Sequence, residues 1–162
     1  MPTLTRARLW LVVFVIGLVV SGVTAFPLET ETRWLLSALT SMRAHVPDGL
    51  LEWVTRVQRG VAETGERYPF MAYGTDWLAF AHLVIAVAFW GPLKDPVRNI
   101  WVVQFGMIAC LAVIPLALIC GPIRGIPPWW LALDMSFGVI GIVPLLLAYK
   151  NIKSVAGAPV AG

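Results

Sequence analysis

Charge is scarce in this chain. Asp, Glu, Lys and Arg make up 13% of its 162 residues, against about 25% in a soluble domain. With 59% apolar residues and a mean hydropathy of +0.80, so short a chain could not hide its apolar surface from water. The composition excludes an ordinary soluble domain. Histidine and cysteine are scarcer still, at two each. Cys110 and Cys120 fall in one expected helix and so lie about 15 Å apart along it. A disulfide bridges Cα atoms within about 7 Å, so the two cannot pair and read as small packing residues. Their spacing fits no zinc or CxxC pattern. Haem held by two membrane histidines would need a partner for His82, and His45 lies in a polar stretch. HExxH, Walker-loop and GxSxG signatures are absent, as is a nucleophile with its base. The sequence therefore implies no cofactor and no metal. The net charge of +3 and pI of 9.2 come without a basic stripe, which excludes a nucleic-acid partner.

What the chain does have is four long apolar runs. Residues 9–26, 70–90, 100–120 and 129–149 are each long enough to cross a bilayer as a helix. The expected fold is all-α: a bundle of four transmembrane helices, residues 9–153 forming one membrane domain. Residues 1–8 make a cytoplasmic N-terminus and 154–162 a flexible tail. Arg6 and Arg8 before the first run, and Val23-Thr24-Ala25 near its end, also suit a cleaved signal peptide. An uncleaved anchor is preferred because apolar character persists to Phe26. Gly17 and Ser21 would let a second helix approach. Pro115 is expected to bend the third span.

Residues 27–67 form the one long polar stretch, read as two short amphipathic helices between the first and second spans. Leu35, Leu39, Met42 and Val46 share one face, opposite Arg33, Ser37 and Thr40. In the second helix Leu50, Trp53, Val54, Val57 and Val61 oppose Glu52, Arg56, Arg59 and Glu63. Both follow the helical period, and such helices should lie in the interface or cap the bundle. Residues 91–99 and 121–128 read as tight turns, each opening on a Gly-Pro pair.

Orientation rests on the cations. With the N-terminus inside, Arg6, Arg8, Lys94, Arg98, Lys150 and Lys153 face the cytoplasm and Arg33, Arg43, Arg56, Arg59, Arg67 and Arg124 face outward. The counts tie. All three lysines fall inside, and two arginines precede the first span while Glu29 and Glu31 follow it, which favours N-in and C-in. The implied location is a bacterial cytoplasmic (inner) membrane.

Five residues are costly in a membrane and make up the candidate polar cluster: Asp76, Asp134, Arg124, His82 and Gln104. An ionised Asp at the centre of a span costs roughly 3 kcal/mol. Asp76 and Asp134 each follow a proline by seven residues on spans of the same direction, which predicts one depth. Ala72, Thr75, Ala79, His82 and Ala86 form a small stripe bordering Asp76, while Gly138 and Gly141 continue the face of Asp134. Arg124, or Arg67, is expected to neutralise the carboxylates. Gln104 or a backbone carbonyl would bond a neutral His82. The leading expectation is a non-catalytic protein of the lipid bilayer that associates with itself or with another membrane protein. A proton- or ion-coupled transporter built on the aspartates is one alternative. A membrane enzyme with an outward-facing Asp/His site is the other.

Overall fold

The computed structural model describes residues 3–156 and is helical throughout, with no strand among the described residues. In chain order the helices are α1 (Thr3–Ala25), α2 (Leu28–Ser41), α3 (Asp48–Arg67), α4 (Tyr73–Ala88), α5 (Trp90–Lys94), α6 (Ile100–Ile123) and α7 (Pro128–Ala156). Two 3₁₀ turns, Arg43–His45 and Pro69–Ala72, follow α2 and precede α4. Four stretches are long and apolar enough to cross a membrane: Thr3–Ala25, Pro69–Lys94, Ile100–Ile123 and Pro128–Ala156. Many bulky residues on these helices point outward, with Ile123 and Val87 each 73% exposed, while Gly22, Gly106, Gly121 and Gly138 are buried. Lipid accommodates such a surface and water does not. The chain divides into two compact units, residues 3–18 with 85–156, and residues 19–84.

In the first unit, one core gathers the start of α1, the α5 region, the start of α6 and the end of α7. Ala7, Leu11, Phe89, Val103, Leu145, Ala148 and Ile152 are fully buried there. Phe89 sits between α4 and α5, because Pro92 has no N–H for the Ala88 carbonyl and the helix ladder lapses. The Arg8 guanidinium donates to the carbonyls of Leu93 (2.9 Å) and Lys94 (3.1 Å). A cation thus closes the negative end of α5. Asn99 donates to Gly91 and Asp95, and the Arg98 amide donates to the Asp95 carboxylate. The turn into α6 is therefore tied back onto α5.

α6 and α7 pack as an antiparallel pair wherever a side chain is missing. A Cβ on Gly138 would strike the Cys110 carbonyl, and one on Gly121 would strike Leu131. A Cβ on Gly106 would meet Phe89 Cζ at 2.8 Å and Leu145 Cδ1 at 3.0 Å. Cys110 lies at the crossing, its Sγ 3.3 Å from where Gly141 would carry a Cβ. That matches its reading as a small packing residue. The pair is joined by a C-terminal cap: the Ile126 amide donates to Gly121, and that of Gly125 to Pro122. Gly125 has φ +67, the left-handed state that this cap requires and glycine adopts without strain.

In the second unit, Gly22 of α1 meets α4 closely; a Cβ there would lie 3.0 Å from the Ala79 carbonyl and 3.1 Å from His82 Cβ. The middle of the small stripe, Ala79 and His82, is thus a helix contact, with Ala79 fully buried, whereas Ala72 is exposed. The residue receiving it differs from the expected pair. Gly17 has no atom within 4 Å of a Cβ and Ser21 is exposed, since the contact face of α1 is turned by one residue. α2 and α3 form an antiparallel hairpin in which Val54 is buried, and the expected apolar face of α3 is covered as a whole. The face of α2 is different: Leu28, Thr32, Leu36 and Leu39 are half-covered, whereas Leu35 and Met42 are exposed.

The connections are shorter than the sequence suggested. α5 runs to Lys94 and α6 to Ile123, so both Gly-Pro pairs lie inside helices and the turns shrink to 95–99 and 124–127. Pro92 occupies a first-turn position, where its missing N–H costs nothing. Pro115, Pro122 and Pro144 all sit within continuous helices. α1 begins at Thr3, inside the expected cytoplasmic segment, and α7 continues to Ala156. Ser154 to Ala156 are therefore helical rather than a loose tail, with Ser154 donating to the Asn151 carbonyl; residues 157–162 of the expected tail lie outside the described residues.

Gly138→Ala is expected to lower stability in detergent by about 1–3 kcal/mol, the cost of overpacking a tight contact. Gly17→Ala, with open space around it, should instead be neutral or stabilising by up to about 1 kcal/mol. Thermal unfolding of the two variants checks the pair; equal losses would contradict the packing described.

Candidate polar site in the membrane helices

An α-helix interior offers its own side chains carbonyl acceptors but no spare N–H donors. Groups that can donate use them here. Thr24 donates to Val20, Thr75 to Ala72 and Ser136 to Leu133. His82 Nδ1 lies 2.8 Å from the Leu78 carbonyl, so its ring is held by its own helix. An ionised carboxylate only accepts, so the backbone of a helix interior offers it no partner.

Asp76 and Asp134 differ in that respect from every residue just named. Both are half-buried, and among the described residues no hydrogen bond or ion pair reaches either. Their equal distance from a proline conceals different settings. Asp76 lies in the first turn of α4, because the 3₁₀ turn Pro69–Ala72 delays the α-helix, and the positive end of the α4 dipole favours a carboxylate there. Asp134 lies beyond the first turn of α7, about 9 Å along the helix from Pro128. Gly138 and Gly141 share its face and both contact α6 at Cys110. The contacts of Leu131 with Gly121 and Gly138 with Cys110 fix an antiparallel register that sets Asp134 opposite 114–118, where every side chain is apolar. Nothing on α6 at that level can donate to it.

The other candidates are not drawn into an ion pair. The pair present among the described residues is Arg33 with Glu29, 2.9 Å apart and exposed. Arg124 caps the C-terminus of α6 through its backbone amide, which donates to Cys120 and Gly121, and its side chain is exposed. Arg67 lies over the Tyr68 ring, 5.6 Å from its centroid. Gln104 is exposed on α6. Asp76 and His82 belong to the unit of residues 19–84, and Gln104, Arg124 and Asp134 to the other. On α4 six residues separate Asp76 from His82, which points them about 120° apart. No group of three His, Cys, Asp or Glu able to hold a metal occurs among the described residues. A shallow depression does occur on α3, lined by Leu51, Glu52, Thr55, Arg56 and Arg59, and its Thr55 hydroxyl donates to the Leu51 carbonyl.

Because no ion pair reaches the Arg124 side chain among the described residues, Arg124→Ala and Arg59→Ala are expected to change stability equally, each within about 0.5 kcal/mol. Unfolding in detergent checks this; a selective loss of several kcal/mol for Arg124→Ala would restore it as the carboxylates' partner. The chain matches no protein family, and no curated protein sequence or solved structure is similar to it.

Proposed function

We propose that this is a non-catalytic membrane protein that acts by lateral association with a second membrane helix, another copy or a different protein. The observation that carries the reading is Asp134, a half-buried carboxylate on an apolar span that no hydrogen bond or ion pair reaches among the described residues. Polar groups on spans are satisfied across helix contacts. A facing Arg, Lys, His, Gln, Ser or Thr would meet this one. Asp76 has the dipole of α4 and needs a partner less.

The orientation inferred is N-in and C-in across a cytoplasmic membrane of bacterial type. Arg6, Arg8, Lys94, Arg98, Lys150 and Lys153 are all exposed around the end of the first unit where Ala7, Leu93 and Ile152 share a core. Six cations at one end are the pattern of a cytoplasmic face. A reporter fused after Lys153 should read as cytoplasmic, and an external reading would reverse the topology.

Association is measured by energy transfer between labelled copies, and by pull-down from solubilised membranes for a different partner. An interhelical hydrogen bond in a bilayer contributes about 0.6–2 kcal/mol, so Asp134→Leu should weaken association about 3- to 30-fold. Asp134→Asn retains a hydrogen-bonding group and should associate nearly as the wild type does. A different result supports transport: proton- or ion-coupled flux in liposomes that Asp134→Asn abolishes while the fold persists would displace the association reading.

A further inference from the structure

The exposed apolar face of α2 is the surface that neither the helix bundle nor the polar residues explain. At 100° per residue, α2 divides into three faces rather than two. Leu28, Thr32, Leu36 and Leu39 form one, turned toward α3 and half-covered. Glu29, Arg33, Ser37 and Thr40 form the second; it is exposed, and its Glu29–Arg33 ion pair is internal. Trp34, Leu35, Ala38 and Met42 form the third, apolar and uncovered, with Trp34 68% and Met42 58% exposed. Water on that face would be unfavourable, so something apolar covers it.

We propose that the third face of α2 is embedded in the interfacial layer of the bilayer, so that α2 lies along the membrane surface with α3 packed beside it and its polar face turned to water. Continuity with the spans argues for lipid as the occupant. α1 ends at Ala25 and α2 starts at Leu28, so no slack separates a membrane-crossing helix from α2. At the other end α3 stops at Arg67 and the next span opens at Pro69. Both ends of the hairpin are thereby held at the membrane surface. Pro27, with φ −86 and ψ 42, breaks the helix between α1 and α2, which a helix rising straight into water would not need. The charge pattern is complementary: Glu52, Arg56, Arg59 and Glu63 are all exposed on α3, giving that helix a face for water. Trp34 adds an amphipathic ring of the kind that settles at headgroup depth. Glu31, the one acid on the apolar arc, is in the first turn of α2, where the dipole favours it.

The test uses single-cysteine variants Leu35→Cys, Met42→Cys and Ser37→Cys in a parent carrying Cys110→Ala and Cys120→Ala. Each is labelled with an environment-sensitive fluorophore in vesicles of phosphatidylcholine and phosphatidylglycerol. Labels at 35 and 42 should be quenched by lipids bearing a shallow nitroxide and should be about threefold or more less accessible to aqueous iodide than the label at 37, as burial in the interface demands. Equal iodide access at all three positions overturns the proposal. So does shielding at 35 and 42 that nitroxide lipid does not reach and that grows with protein density, which would assign the face to a second copy. The wild-type chain supplies an independent reading that needs no variant. A photoactivatable lipid should label Trp34, Leu35 or Met42 in preference to Arg33, Ser37 or Thr40, and labelling without that preference counts against the proposal.

Discussion

In lipid an apolar side chain gains little by leaving the solvent, because the tails around it are as apolar as the protein. Helices in that medium hold together where their backbones come close enough for many short contacts. The α6–α7 pair depends on this. Gly138 lets α7 rest on the Cys110 carbonyl, and Gly121 makes room for Leu131. Gly106 takes the end of Phe89 and the methyls of Leu145, which links the helix pair to the core around Ala7, Leu11 and Ile152. Add a methyl group at the crossing and every later contact is displaced. The cap at Gly125 belongs to the same arrangement, since it turns the chain tightly enough to return α7 along α6.

The hairpin of α2 and α3 is organised on other terms. α3 has one apolar face and one charged face, as a helix beside water does, and Val54 marks the buried side. α2 has three faces: one half-covered against α3, one polar and exposed, and one apolar and exposed. Leu35, Leu39 and Met42 read as one face in the sequence, although Leu39 turns toward α3 and the other two do not.

Polar chemistry in the spans follows from which groups can donate. Threonine, serine and histidine bond to carbonyls of their own helices and need no neighbour. A carboxylate gets no donor from the backbone of a helix interior, and for Asp134 the opposing stretch of α6 has only apolar side chains. That difference separates Asp134 from Thr75, Ser136 and His82, and it is the physical ground for assigning it a contact with another molecule.

Elements that depend on local pattern and length were legible in the residues. Four apolar runs, the charged face of α3, the small stripe through Ala79 and the glycine face through Gly138 could all be read from spacing, because helical periodicity is a property of neighbours in the chain. The sequence also named Asp76 and Asp134, since a charge in an apolar run is costly wherever the run goes. Only the tertiary structure decided which small residue meets which backbone: Gly22 and not Gly17 receives α4, a matter of rotation that composition leaves open. It decided that Gly-Pro pairs at 91–92 and 121–122 belong to helices, because a first-turn proline and a helix-ending one look alike until the hydrogen bonds are drawn. It also separated two aspartates that the sequence made equivalent. Whether a carboxylate faces a helix dipole or an apolar wall depends on where helices start and what packs opposite, and neither is encoded at the residue itself.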